Sequence, residues 1–327
     1  MNEHNPKRLF YGSCFALITT AFSFSIRAGI LPELAETFNL TAQQLGFINS
    51  MFFFGFPISM VLGGIFYSTI GPKNIMIFAF FAHTLGIIMT IFAGGYTGLL
   101  ISTLFIGLGN GCTEAACNPM IATAYSGKVM NTLLNRFHMW FPGGIVLGSL
   151  VSLAMTKMNL GWEAQIWVIM IPTLIYAYMF YGQTFPEPTN QEVASLKGNL
   201  KAMLPFGFRS STPLFIFMCL CMMLTAISEF GPTQWAQLVL AKSGAEPMVI
   251  LALITGLMAV GRYFGGEFVH KFDQTGVLLG SAIFTTLGIY LFSTQTGPMA
   301  YVAAVIFAIG VCYFWPNMIG FVAEKIP

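Results

Sequence analysis

Glu114 places a carboxylate in the middle of an apolar run of about 25 residues, long enough to cross a bilayer. An ionisable side chain in hydrocarbon costs at least about 2.5 to 3.5 kcal/mol, so such groups usually face a bundle interior or a water-filled cavity and mark solute or proton paths. At helical spacing Asn110, Glu114 and Asn118 fall on one face, with Thr113 and Cys117 beside them. Gly107, Gly109 and Gly111 allow a neighbouring helix to come close, and Pro119 frees a backbone carbonyl that a cavity could use. The chemistry this suits is proton uptake and release at Glu114. The competing reading is a protonated carboxyl hydrogen-bonded to Asn110 or Asn118 as helix glue.

Other polar residues in apolar surroundings qualify as solute ligands. Arg27 lies on a stripe with Thr20 and Ser23 near the outer end of the first span. It either snorkels to the interface or offers a fork to a carboxylate or phosphate, or to Glu114 when the site is empty. In the seventh span Thr225, Ser228 and Glu229 precede Gly231-Pro232, followed by Thr233, Gln234 and Trp235. A helix broken there would bring an acid, an amide and an indole to a sugar; alternatively Glu229 ends the span and Trp235 joins the interfacial aromatic belt. His138, with Trp140 close by, is either a hydrogen-bonded bundle residue or a site-lining one, and Trp315 and Asn317 are cavity candidates in the tenth span. Gly71, Lys73 and Arg262 near the cytoplasmic ends are read as gating residues, because tight turns let helix pairs slide and basic groups can bind helix ends or acids in one state only.

The elements that must position these residues are membrane helices. The chain of 327 residues is 56% hydrophobic and 8% charged, against about 25% charged in ordinary soluble domains, so it reads as an all-α integral membrane protein. A net charge of +2 without a basic run gives no reason to expect a nucleic-acid partner. Cys14, Cys112, Cys117, Cys219, Cys221 and Cys312 all lie in apolar segments, where free cysteine acts as a small hydrophobe. No metal-ligand spacing, Ser/His arrangement or paired-Asp pattern suggests an enzyme, and no cofactor is expected beyond a coupling proton.

Ten spans are predicted, at residues 9–31, 44–69, 74–95, 98–125, 135–157, 163–182, 212–231, 247–268, 275–295 and 298–321. The N-terminus leads into a full-length span and is read as retained rather than as a signal peptide. Ten basic residues, among them Lys7, Arg8, Lys73, Arg136, Lys197, Arg209 and Lys271, then fall on the side of the N-terminus; only Lys157 and Lys242 fall opposite. The positive-inside rule therefore places the N-terminus in the cytoplasm. Residues 183–211, with Pro186, Pro188 and three basic residues, form a cytoplasmic loop, possessing an interfacial piece at 196–204. The loop divides an N-terminal six-helix bundle (1–182) from a C-terminal bundle of four helices (212–327).

The halves echo one another. Gly109–Glu114 and Gly310–Trp315 are displaced by 201 residues, each followed closely by an Asn and Pro pair, and Gly63–Asn74 has a looser counterpart in Gly261–Phe272. Parallel repeats of this kind occur in transporters built from two related bundles, and equal halves would leave two of twelve spans missing after Pro327.

At these residues the sequence resembles the major facilitator superfamily, and within it the fucose:proton symporter group of sugar permeases. GLGNGCTEAACNP at Gly107–Pro119 carries the resemblance, supported by Ile30-Leu31-Pro32, Phe38-Asn39-Leu40, Leu134-Asn135 with His138, and Phe314-Trp315-Pro316. The resemblance implies two pseudo-symmetric bundles that rock about a central site, a monomer, and Glu114 as the protonation site. The group's first-helix Asp falls on Ala28, beside Arg27, and the superfamily's usual acid after the second helix is Ser68, while Gly64, Gly71 and Lys73 remain. The expected function is import of a monosaccharide or sugar derivative by proton symport across the inner membrane. The alternatives are a proton-coupled carrier of an anionic sugar acid or organic anion held by Arg27, and a non-transporting membrane sensor.

Overall fold

The structure, a computed structural model, describes residues 5–125, 127–186, 212–235, 244–315, 317–318 and 321. In chain order the helices are α1 (Pro6–Thr37), α2 (Ala42–Ile70), α3 (Pro72–Ile91), α4 (Tyr96–Ala124), α5 (Gly127–Lys157), α6 (Trp162–Phe180), α7 (Thr212–Gln234), α8 (Pro247–Thr294) and α9 (Met299–Val311), with no strand among the described residues. Eight segments are long and apolar enough to cross a membrane, and two shorter apolar helices, Pro247–Tyr263 and Met299–Val311, accompany them. The expected loop beyond residue 186, its interfacial piece at 196–204, and residues 322–327 lie outside the described residues.

Local chemistry sets the helix ends. Asn5 accepts the Arg8 amide at 3.1 Å to cap α1, with Pro6 in the first position. Thr41 and Gln44 form a capping box at the start of α2. Between α2 and α3 the chain turns on Gly71, whose φ of +81° is costly for any residue with a Cβ, and Pro72 opens the next helix at once.

One expectation about helix continuity is met within a single helix, and one needs correction. The 247–268 and 275–295 segments belong to one helix, α8, of 48 residues. A straight helix would carry residues 261 and 285 about 36 Å apart. Yet a Cβ on Gly310 would meet Thr285, and the Tyr313 hydroxyl donates to the Gly261 carbonyl at 2.9 Å. The α8 backbone therefore folds back between its two apolar stretches, so that both pack on α9, with Phe292 edge-on to Phe307 at 5.7 Å. The correction concerns Gly231-Pro232, which does not break α7: the helix continues through Gln234, and the Trp235 amide donates to the Gly231 carbonyl at 3.2 Å. A proline so near a helix end removes a single backbone bond, which the last turn tolerates.

Backbone contacts divide the chain into two compact units. One comprises Met1–Gly144 and Met155–Leu204; the other comprises Ile145–Ala154 and Pro205–Pro327. In the first unit, α4 is the central helix. Its glycines bring it hard against α2: a Cβ on Gly107 would strike the Phe52 carbonyl, and one on Gly111 would strike the Phe56 carbonyl and Ser59 hydroxyl. Such close approach suits helices in lipid, where packing rather than water exclusion holds them together.

The same unit is laced by a run of buried hydrogen bonds. Tyr176 of α6 meets His83 Nδ1 at 3.0 Å, His83 Nε2 meets Asn110 Oδ1 at 2.9 Å, and Asn110 Nδ2 donates to Ser23 Oγ at 3.1 Å. Ser23 in turn donates to the Thr20 carbonyl at 2.8 Å. Because the Asn110 nitrogen is committed to Ser23, its oxygen must accept, so His83 is protonated on Nε2 and takes the Tyr176 proton on Nδ1. A neutral imidazole thus satisfies every link, across α1, α3, α4 and α6. Gly109 makes room for it, since a Cβ there would overlap the His83 ring.

Gly107→Ala and Gly111→Ala should each destabilise the purified protein by about 1–3 kcal/mol through overpacking. Gly64→Ala, where a Cβ meets nothing within 4 Å, should leave the melting temperature unchanged. Thermal unfolding in detergent, followed by intrinsic fluorescence, would separate the cases; equal melting of all three would show that α2 and α4 can separate without loss.

Candidate functional site

The hydrogen-bonded run forms the middle of three polar tiers in the first unit. Helices α1 and α4 pack antiparallel: Ser23 bonds Asn110, while Cys14 lies in one cluster with Cys117. Taking the Thr37 end of α1 as outer and its Pro6 end as inner, Arg27 is one turn outward of Ser23, and Glu114 is one turn inward of Asn110. The two charged groups are therefore about 12 Å apart along the helix axes.

In the outer tier Arg27 is 3% exposed, so it does not snorkel. Its Nε donates to Asn49 Oδ1 of α2 at 3.0 Å, whereas its Nη2 is buried without a partner, as is Asn49 Nδ2. The expected alternative pairing of Arg27 with Glu114 is not made. A buried guanidinium with an unused donor is a strong attractor for a carboxylate or phosphate oxygen.

In the inner tier Glu114 is half-buried, and Asn118 donates both to its Oε2 at 2.6 Å and to its backbone carbonyl at 3.1 Å. The amide thus holds one carboxylate oxygen and braces the helix beside Pro119. Asn110, expected on the same face, is instead fully buried with both ends of its amide engaged by Ser23 and His83. That arrangement makes Asn110 a tie between helices and gives a solute no free polar atom on it. His138 is exposed on α5, with its ring 5.0 Å from that of Phe137. Lys73 is exposed next to the Gly71 turn.

The second unit unites two residues that the sequence assigned different roles. Arg262 Nη2 is 3.7 Å from Glu229 Oε1, and Arg262 Nε donates at 3.0 Å to the carbonyl of Cys312, just past the end of α9. Arg262 therefore meets both an acid and a helix C-terminus, within its own unit, and Glu229 is 9% exposed. One turn from Glu229, Thr225 contacts Met318 Sδ at 3.8 Å. Close by in sequence, Asn317 is buried with its Nδ2 unpartnered, and Trp315 is 43% exposed. Gln234 is 2% exposed with neither end of its amide partnered, while Trp235 is half-buried.

Sequence reasoning passed over His83, Tyr176 and Asn49. His83 and Asn49 each carried a signal, a single strongly polar residue inside an apolar helix, the same signal that singled out Glu114 and Arg27. Tyr176 carried none, since tyrosines are common in such helices. Among the described residues no group of His, Cys, Asp and Glu could hold a metal ion.

Comparisons with known proteins agree with this architecture. The chain is 27% identical over 191 residues to the hexuronate transporter of Bacillus subtilis (strain 168), covering 56% of this chain and 45% of that protein. It is 31% identical over 111 residues to the L-fucose-proton symporter of Escherichia coli (strain K12), covering 33% and 25%. The chain thus spans less than half the length of these curated relatives. Among solved structures, the D-xylose-proton symporter superposes with a TM-score of 0.76 at 15% identity, over 97% of this chain and 82% of that one, a likeness of fold. The family model for the Major Facilitator Superfamily matches residues 13–327, and this multi-pass membrane chain belongs to that superfamily.

Proposed function

We propose that the protein is a proton-coupled secondary transporter that carries a small sugar acid by alternating access. The observation that carries this reading is Arg27: 3% exposed, with Nη2 unpartnered, and with no acid of the described residues in ion-pairing distance. An uncompensated buried cation costs several kcal/mol, and a solute carboxylate would offset that cost with the planar geometry a guanidinium prefers. The hexuronate transporter among the relatives carries, by its name, a solute of that class.

Glu114 is the proposed proton carrier. Its distance from Arg27 gives the anion and the proton separate seats, so one need not displace the other. Asn118, His138, Glu229, Gln234, Trp235, Trp315 and Asn317 remain proposed solute contacts, and Gly71, Lys73 and Arg262 proposed gating residues. Orientation with the N-terminus in the cytoplasm at the inner membrane, as a monomer, completes the proposal and is supported by the basic residues flanking the helices. A second reading, a neutral monosaccharide, is favoured by the 31% identity to the L-fucose-proton symporter.

Reconstituted in liposomes, the wild type should take up labelled glucuronate faster with an inward proton gradient than without. Glu114→Gln should abolish that acceleration while leaving glucuronate exchange intact. Arg27→Ala should weaken glucuronate transport by about 10- to 100-fold, the value of one or two charge-assisted hydrogen bonds, and spare any neutral sugar. Uptake indifferent to gradient and to Glu114→Gln would reduce Glu114 to a structural residue; uptake of glucose but not glucuronate would favour the second reading.

With one proton carried per monoanion the cycle moves no net charge. A potential of 100 mV acts on each net charge with about 2.3 kcal/mol. A potassium diffusion potential imposed at equal pH should therefore leave the initial glucuronate uptake rate unchanged. Acceleration by an interior-negative potential would instead require more than one proton per anion.

A further inference from the structure

Asn49 lies in the third turn of α2, facing α1, and is 3% exposed. Arginine has no acceptor, so the atom of the Asn49 amide that meets Arg27 Nε must be the oxygen, and the 3.0 Å contact is to Oδ1. This orientation is forced, and it commits the amide nitrogen to point elsewhere. Asn49 Nδ2 and Arg27 Nη2 are consequently two buried donors, from two helices joined by one hydrogen bond, and neither has a partner. Buried donors are rarely left in this condition, and two together ask for an oxygen-rich acceptor.

We infer that Asn49 is the charge-selecting residue of the Arg27 site, an inference that rests on the sugar-acid reading. Its amide does two things for a carboxylate-bearing solute. The oxygen orients the guanidinium through Nε, leaving the outer edge of the fork free, and the nitrogen adds a second donor to the same acceptor. Being neutral, the amide also leaves the charge on Arg27 uncompensated. An aspartate of the same shape would hold Arg27 in an internal ion pair and remove the electrostatic reason for an anion to enter. Selectivity for an anion over a neutral solute then depends on this one residue's being an amide.

The test compares wild type, Asn49→Asp and Asn49→Leu in proteoliposomes, using labelled glucuronate as probe and monodisperse gel filtration as the criterion of folding. Asn49→Asp should reduce glucuronate uptake by at least about tenfold, the loss expected when a charge-assisted contact is cancelled. Asn49→Leu, which removes the donor without adding charge, should raise KM by about tenfold and leave Vmax within about twofold. A fall in Vmax at unchanged KM would signify a role in helix movement and overturn the assignment. So would wild-type glucuronate kinetics in either variant, and if Asn49→Asp does not fold, Asn49→Leu decides the matter alone. Wild type that transports glucuronate beside unaltered variants would sink only the role of Asn49. Wild type that excludes glucuronate would sink the sugar-acid reading, and this inference with it.

Discussion

A polar group buried in hydrocarbon-facing helices must find a partner inside the protein, and the run from Tyr176 through His83 and Asn110 to Ser23 is where the first unit meets that demand. Each link has one donor and one acceptor, so the run has a direction and a single pattern of protons. Losing any member would orphan its neighbours at about 1–3 kcal/mol each, which couples α1, α3, α4 and α6 more tightly than apolar packing would. The glycines of α4 follow from it. Gly109 must lack a side chain for His83 to reach Asn110, while Gly107 and Gly111 let α2 close on the opposite face. Helix α4 is thereby fixed from several directions, and Glu114, one turn on, rides on a rigid support.

That rigidity gives the spacing of the charges its meaning. With the neutral tier between them, Arg27 and Glu114 stay about 12 Å apart along the helix axes and do not cancel. Had they paired, the acid would hold its charge against any proton and the cation would have no call on a solute. The local bond from Asn118 to Glu114 works on a smaller scale, satisfying one carboxylate oxygen while leaving the residue half-buried. An acid so held has a fixed position.

Much of this was legible in the sequence for a simple reason: the cost of burying polar atoms makes each polar residue in an apolar helix conspicuous. Glu114 and Arg27 stood out that way, the glycines of α4 did so as small residues that let a helix approach, and the number of apolar segments followed from hydropathy. What could not be read was which polar residue meets which. Asn110 and Asn118 have equal claims on Glu114 by spacing, yet Asn110 turns to His83 on another helix, a choice made by tertiary packing. Gly231-Pro232 misled because a break depends on how far the proline lies from the helix end. The reversal within α8 was legible as the gap between the 247–268 and 275–295 spans, although one helix covers both.

The two arginines within the apolar helices, Arg27 and Arg262, differ in what they meet. Arg262 has what a buried cation needs from its own chain: the Glu229 carboxylate at 3.7 Å and the Cys312 carbonyl at 3.0 Å. Its side chain is 24% exposed, so even that charge is not wholly removed from its surroundings. Arg27 is buried more deeply and receives less, one neutral amide oxygen and no acid of the described residues. If burial of arginine served only to join helices, the deeper one should be the better satisfied, because desolvation costs rise with depth. The reverse holds. A fold that satisfies one arginine internally and leaves the deeper one with an unpartnered donor is what the solute-binding role proposed for Arg27 requires.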